Sequence, residues 1–251
     1  MKTSPISCAI AALVLAACGG GGSNDAGNSG GNGDTAPAAF VFATPKVGAE
    51  NTFSEISISN QNNSWNQGLV SQVTAVNADG SFMQQSYDPS GNTITSGGID
   101  YTIYPGTYNF NSSGQETSRT IVYSSSDTQV CDFSPNNGSA PSTLTVGQTW
   151  SASYTACAND PSPYSYSLTG TLVDEETLTV PAGTFNTFKF QNTLTYTKPS
   201  GLTVTESSTT WRNADPTDSR TIQQVSNYSY SGITPPDGII ASRTRVLQSY
   251  K

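Results

Sequence analysis

The sequence predicts an all-β protein: a curved antiparallel sheet, half-barrel or barrel-like, built from a meander of hairpins on a disordered N-terminal tether. Three observations carry that expectation. After residue 40 no stretch repeats apolar residues at helical spacing, whereas strict alternation recurs. Triplets of proline, a tolerant residue and glycine punctuate the alternating stretches. Charged residues make up only 11% of the chain, well below the usual quarter. Polarity comes instead from Ser, Thr, Asn, Gln and Tyr, which suit strands and loops better than solvated helices.

Lys2, an apolar run from Ala9 to Ala17, and Cys18 beside a glycine tract have the layout of a bacterial secretory signal over residues 1–17. The run is too short to span a bilayer, which takes about 20 apolar residues. Leu15-Ala16-Ala17-Cys18 resembles the lipobox of bacterial lipoproteins. That resemblance implies cleavage before Cys18, a diacylglyceryl thioether on its sulfur and a further acyl chain such as palmitate on its amine. Each buried CH₂ contributes roughly 0.8 kcal/mol, so two or three chains anchor a protein where one holds it only marginally. Gly19 stands where the family's inner-membrane retention signal has aspartate, which implies the outer membrane. The other reading of Cys18 is an incidental cysteine in an ordinary signal peptide.

From Gly19 to Ala39 the run GGGGSNDAGNSGGNGDTAPAA has almost no apolar bulk. It cannot bury enough surface to offset the entropy of ordering it, so residues 18–39 are expected to form a flexible tether. Residues 40–251 then make one β domain of ordinary size. The net charge is −8, or −9 once Lys2 leaves with the signal. Such an acidic chain is poorly suited to nucleic acid or anionic headgroups. With Cys8 removed and Cys18 lipidated, Cys131 and Cys157 remain as an even pair in an oxidising compartment, where a disulfide is the default. Closing that loop contributes roughly 3–4 kcal/mol.

The hairpin signals run in order along the domain. Asp79-Gly80, Pro89-Ser90-Gly91, Ser113-Gly114, Pro181-Ala182-Gly183, Pro199-Ser200-Gly201 and Pro236-Asp237-Gly238 mark turns. Tyr164, Tyr166, Leu168 and Leu172 alternate, as do Phe188, Phe190, Asn192, Leu194 and Tyr196. Ile240 to Tyr250 reads as a closing strand. Four short echoes keep their order: Val47-Gly48 with Val146-Gly147, Gly80-Ser81-Phe82 with Gly183-Thr184-Phe185, Pro89-Ser90-Gly91 with Pro199-Ser200-Gly201, and Ser118-Arg119-Thr120-Ile121 with Ser219-Arg220-Thr221-Ile222. Residues 40–139 and 140–251 are then two copies, or the echoes are chance in a Ser/Thr/Gly-rich chain, as Ser242-Arg243-Thr244 illustrates. As copies, they would have Cys131 and Cys157 stapling their junction.

Leu144-Thr145-Val146-Gly147-Gln148-Thr149-Trp150, Glu175 through Phe185 with its Val180-Pro181-Ala182-Gly183-Thr184-Phe185, and Thr209-Thr210-Trp211 resemble a pattern of uncharacterised bacterial envelope proteins. Those are similar in turn to the curved-sheet, half-barrel fold of the lipoprotein-localisation factors. The resemblance implies such a sheet over about 100 residues. Arg212-Asn213-Ala214-Asp215 departs from it, and the localisation factors' helical lid has no counterpart in this sequence.

No histidine occurs, which excludes Ser–His–acid and Cys–His nucleophiles and histidine-type zinc sites. No phosphate-cradling or dinucleotide glycine loop is present. No cofactor is expected. Asp174-Glu175-Glu176, alone or with Glu206, could supply calcium oxygens or a glycosidase pair. Three consecutive strand residues cannot converge, so a charged strand that discourages edge pairing is the simpler reading. Asp215 and Asp218 lack the frame of an EF-hand and read as a solvated turn. Trp150 and Trp211 read as core residues, and Arg243 and Arg245 as the solvated side of the last strand. Trp65, among Asn62, Asn63, Ser64, Asn66 and Gln67, reads as an exposed aromatic in a polar loop and the best candidate ligand contact.

The expected function is non-enzymatic: an outer-membrane-anchored envelope binding or structural module for an apolar ligand or partner segment, facing the periplasm or the exterior. Its expected partners are the membrane, through the anchor, and a lipid or protein, with no nucleic acid. The rivals are a carbohydrate-binding or carbohydrate-active protein using Asp/Glu and aromatics, and a surface adhesin or antigen.

Overall fold

A computed structural model describes residues 38–96, 99–157 and 163–251. The signal, Cys18 and all but the last two residues of the expected tether lie outside the described residues. Among the described residues every helix or strand is a strand. Short β1 (Ala39–Val41) leads into a first meander of β2 (Glu50–Ser59), β3 (Ser64–Val76) and β4 (Phe82–Tyr87). After a small ribbon of β5 (Thr95–Ser96) and β6 (Ile99–Asp100), the meander resumes with β7 (Gly106–Phe110), β8 (Glu116–Ser124) and β9 (Asp127–Ser134). Short β10 (Thr143–Thr145) leads into a second: β11 (Thr149–Ala156), β12 (Tyr164–Val180), β13 (Gly183–Thr197), β14 (Thr203–Asn213), β15 (Thr221–Ser231) and β16 (Ile240–Tyr250).

The two meanders close on each other as a twelve-stranded antiparallel barrel, with β16 beside β2 and β9 beside β11. Strands β1 and β10 pair with one another instead of joining the wall. The four sequence echoes fall at similar places: before β2 and β11, at the β3–β4 and β12–β13 turns, after β4 and β13, and within β8 and across the start of β15.

The turn chemistry acts as its residues dictate. Gly80 takes φ 82° between β3 and β4, and Gly201 takes φ 88° between β13 and β14, a left-handed backbone that costs glycine nothing. Pro89-Ser90-Gly91 differs from the hairpin expected there. It opens the long connection to β7, which carries Tyr101 back onto the barrel.

An eight-stranded barrel is just filled by its own side chains; twelve strands enclose a wider lumen that something else must fill. Phe40 of β1, Leu144 of β10 and Phe42 form a plug against inward residues of both meanders, among them Phe82, Phe110, Leu172 and Phe190. Phe40 meets the Phe190 ring edge-on at 5.0 Å. At the end marked by the β2–β3 hairpin, the Trp65 and Tyr101 rings meet tilted at 4.7 Å beside Leu202, Val204 and Ile239. The tip of the β12–β13 hairpin, the Val180–Phe185 motif, packs on Phe53, Leu69 and Leu247. Between these apolar layers the lumen is polar, with Glu55, Ser57, Gln67, Ser71, Gln84 and Ser86 all buried.

Candidate functional site

Alternation along β14 turns Glu206, Ser208, Thr210 and Arg212 into the lumen and Trp211 outward, opposite Lys189 of β13. Arg212 ends the inward row against the plug. Its guanidinium lies 4.9 Å from the Phe40 ring centroid, and its Nε donates to the Ser219 carbonyl at 3.0 Å. Burial pulls its pKa down to about 9, which Asp218 offsets only in part. Three strands along the same wall, Trp150 of β11 pairs with Gly170 of β12. The indole lies on that glycine, where a Cβ would come within 2.2 Å of the ring. A side chain at 170 would displace it.

Between them is a cavity of about 60 Å³ whose wall includes Trp150, Leu168, Phe190, Leu194, Glu206 and Arg212, with Ser139 and Ala140 from the segment before β10. Arg212 Nη2 and Trp150 Nε1 are both buried without a protein acceptor. Such orphaned donors cost free energy unless something accepts from them.

The other buried guanidiniums have carboxylate partners, although Arg245 Nη1 also lacks an acceptor. Arg243 Nε and Arg245 Nε approach Glu55 at 3.2 and 3.1 Å. Burial would raise the Glu55 pKa, but the two arginines more than offset it and hold the carboxyl below its ordinary range. Arg119 grips Glu116 through two bonds of 2.7 and 2.9 Å. Glu206 accepts from Ser226 Oγ at 2.7 Å, yet burial pushes its pKa upward. On the outer face an open concavity of about 710 Å³ is lined by hydroxyls and amides, including Thr149, Ser151, Thr169, Thr171, Gln191 and Thr193.

Several residues singled out from the sequence sit elsewhere than expected. Trp65 lies in β3, half-buried against Tyr101, because the polar run from Ser64 onward pairs with β2 and only Asn62 and Asn63 remain in the turn. Trp150 packs inward as read, but Trp211 faces outward, over Lys189 and donating to Glu176. Arg243 and Arg245 line the lumen, not the solvated side. Glu176 pairs with Lys189 on the outer face at 3.2 Å, so it and lumenal Glu206 lie on opposite sides of the sheet. Asp215 closes a turn by accepting from Thr217, whereas Asp218 is buried against Arg220. Among the described residues no group of three metal-ligating side chains occurs. Cys131 and Cys157 form a disulfide. Sequence reasoning missed Glu55, Glu116 and Arg212, which carry no motif.

No protein-family model matches the sequence, and no curated protein does. Three solved structures resemble the fold distantly. A proposed lipoprotein of Parabacteroides distasonis is 14% identical, covers 85% of this chain and 99% of its own, and aligns with a TM-score of 0.44. A proposed exported protein of Bacteroides fragilis with a YmcC-like fold is 13% identical over 86% and 100%, with a TM-score of 0.45. The hypothetical lipoprotein YmcC of Escherichia coli is 10% identical over 79% and 84%, with a TM-score of 0.38. At these values the likeness is one of general architecture, and function is read from this chain's own residues.

Proposed function

We propose that this chain is a non-enzymatic binding module of the bacterial envelope, anchored in the outer membrane by acyl chains on Cys18, whose barrel holds a small ligand with an apolar body. The observation that carries the reading is the lumenal cavity, where apolar walls meet a buried guanidinium whose Nη2 has no acceptor. The Leu15–Cys18 motif and the Gly19–Ala39 run support the anchor and tether. The similar positions of the sequence echoes support reading residues 40–251 as one unit made of two copies.

The test is mass spectrometry of the intact protein extracted from membranes in mild detergent. Denatured, its N-terminus is expected to carry acyl chains on Cys18; an unacylated terminus overturns the anchor. Under native conditions a small-molecule adduct is expected that unfolding releases; a bare polypeptide in every preparation counts against the ligand. The outer concavity of hydroxyls and amides favours a second reading, carbohydrate binding on the barrel's exterior. Saturable binding on a glycan array that survives substitution of Arg212 would support it.

A further inference from the structure

The chemistry of the cavity narrows the ligand class, an inference that rests on the binding reading above. Among the described residues, the other buried guanidiniums have carboxylates: Arg119 has Glu116, Arg220 has Asp218, and Arg243 and Arg245 share Glu55. Arg212, only 5% exposed, has none within ion-pair distance. Glu206, in the field of Arg243 and Arg245, offsets the second charge of that pair, so among the described residues Arg212 is the buried guanidinium left without a carboxylate, and it lines the cavity. Buried charges are paired or costly, so an anion entering here is bound by a charge already desolvated.

Two further features restrict the anion. Its second donor is the Trp150 indole N–H, also buried and unpartnered. Two donors on separate strands suit the two oxygens of a carboxylate, and are too few for a tetrahedral dianion. The apolar part of the remaining wall is Leu168, Phe190 and Leu194, which asks for a short apolar tail; Glu206, also in the wall, accepts from Ser226 Oγ and feels the charges of Arg243 and Arg245. At roughly 10–15 Å³ per water-sized group, a 60 Å³ cavity holds about four to six non-hydrogen atoms.

We propose that the cavity binds a short-chain monocarboxylate, of about two to four carbons, whose carboxylate accepts from Arg212 Nη2 and Trp150 Nε1 while its tail lies on Leu168, Phe190 and Leu194. The neutral amide of the same acid lacks the charge Arg212 requires, and a simple halide lacks the tail.

The experiment is a thermal-unfolding and calorimetric titration of the intact lipoprotein in detergent with sodium butyrate, butyramide and sodium chloride at matched ionic strength. Butyrate is expected to raise Tm saturably and the other two are not. Arg212→Gln is expected to weaken butyrate about ten-fold or more, since a hydrogen bond to a charged group is lost. Without ligand, this variant should unfold at no lower a temperature than the parent, because a buried unpaired charge has gone. Trp150→Phe keeps the ring and removes the donor, so it is expected to weaken butyrate by a smaller factor; it carries the test if Arg212→Gln does not fold. Equal stabilisation by chloride and butyrate, a response to butyrate that survives both substitutions, or no response to butyrate overturns the inference. If butyrate fails while a native adduct of another class persists, only the ligand class falls. If both fail, the binding reading falls with it.

Discussion

Between β16 and β2 the barrel closes over nine residue pairs, from Ile240 with Ser59 to Tyr250 with Asn51; between β9 and β11 it closes over two, Thr155 with Ser134 and Ala156 with Phe133. The first seam is also crossed by charge, since Glu55 of β2 takes Arg243 and Arg245 of β16. The second is crossed by the Cys131–Cys157 disulfide. Further along β11 the neighbour is the segment around Gly138, which sits so close that a Cβ there would come 2.5 Å from that of Ala152. That segment lies against the Ala152 and Tyr154 side chains. The contrast teaches that equivalent junctions in one barrel can be secured by different physics. One is held in the folded state by hydrogen bonds and buried ion pairs; the other is held covalently, by restricting what the unfolded chain can do.

The largest effect is expected from breaking the charged seam. Glu55→Ala leaves two lumenal arginines facing each other and should cost about 3–5 kcal/mol in denaturant unfolding. The parent should show the matching acid dependence. The Glu55 pKa is depressed from an ordinary 4.5, so its contribution is complete above that value and is lost as pH falls through the lower folded value. Next comes the covalent seam: Cys131→Ser with Cys157→Ser should lower stability by roughly 3–4 kcal/mol, checked by denaturation midpoints with and without reductant. Glu206→Gln should act in the opposite sense. Its folded pKa is raised from 4.5, so the buried carboxylate penalises folding at neutral pH, and the penalty fades as pH falls through the raised folded value toward 4.5. A gain of a few degrees in Tm at pH 7 that vanishes near pH 4 is expected. The smallest effect belongs to Lys251→Ala, which removes a solvent-exposed pair with Glu50 at 3.1 Å and should stay within about 0.5 kcal/mol.

The wall of the barrel was legible in the sequence; its contents were not. Alternation from Phe188 to Tyr196 does place those side chains inward, and the closing strand matches Ile240–Tyr250. Turn residues announce their turns because φ is a local property, readable from glycine and proline alone. Which face of a strand points inward is a long-range property, inferred from which face is apolar. That inference fails for β16, where Arg243 and Arg245 face the lumen and half-buried Thr244 and Val246 face out. A lumen too wide for apolar side chains takes charged ones, provided they arrive in pairs. Arg245 of β16 and Glu55 of β2 are 190 residues apart, so no local pattern could join them. Trp65 was misplaced for a related reason: the polar run around it read as a loop, yet only Asn62 and Asn63 turn, while Ser64, Asn66 and Gln67 belong to a strand. Arg212 was noticed only as a departure from a motif, and its significance depends on the plug that buries it.

The most direct measurement of the two-seam description is amide hydrogen exchange on the intact chain before and after reduction of the disulfide. Reduction is expected to strip protection first from β9 and the β11 residues facing it, while β16 and β2 keep theirs. Equal loss of protection at both seams, or earlier loss between β16 and β2, would contradict it.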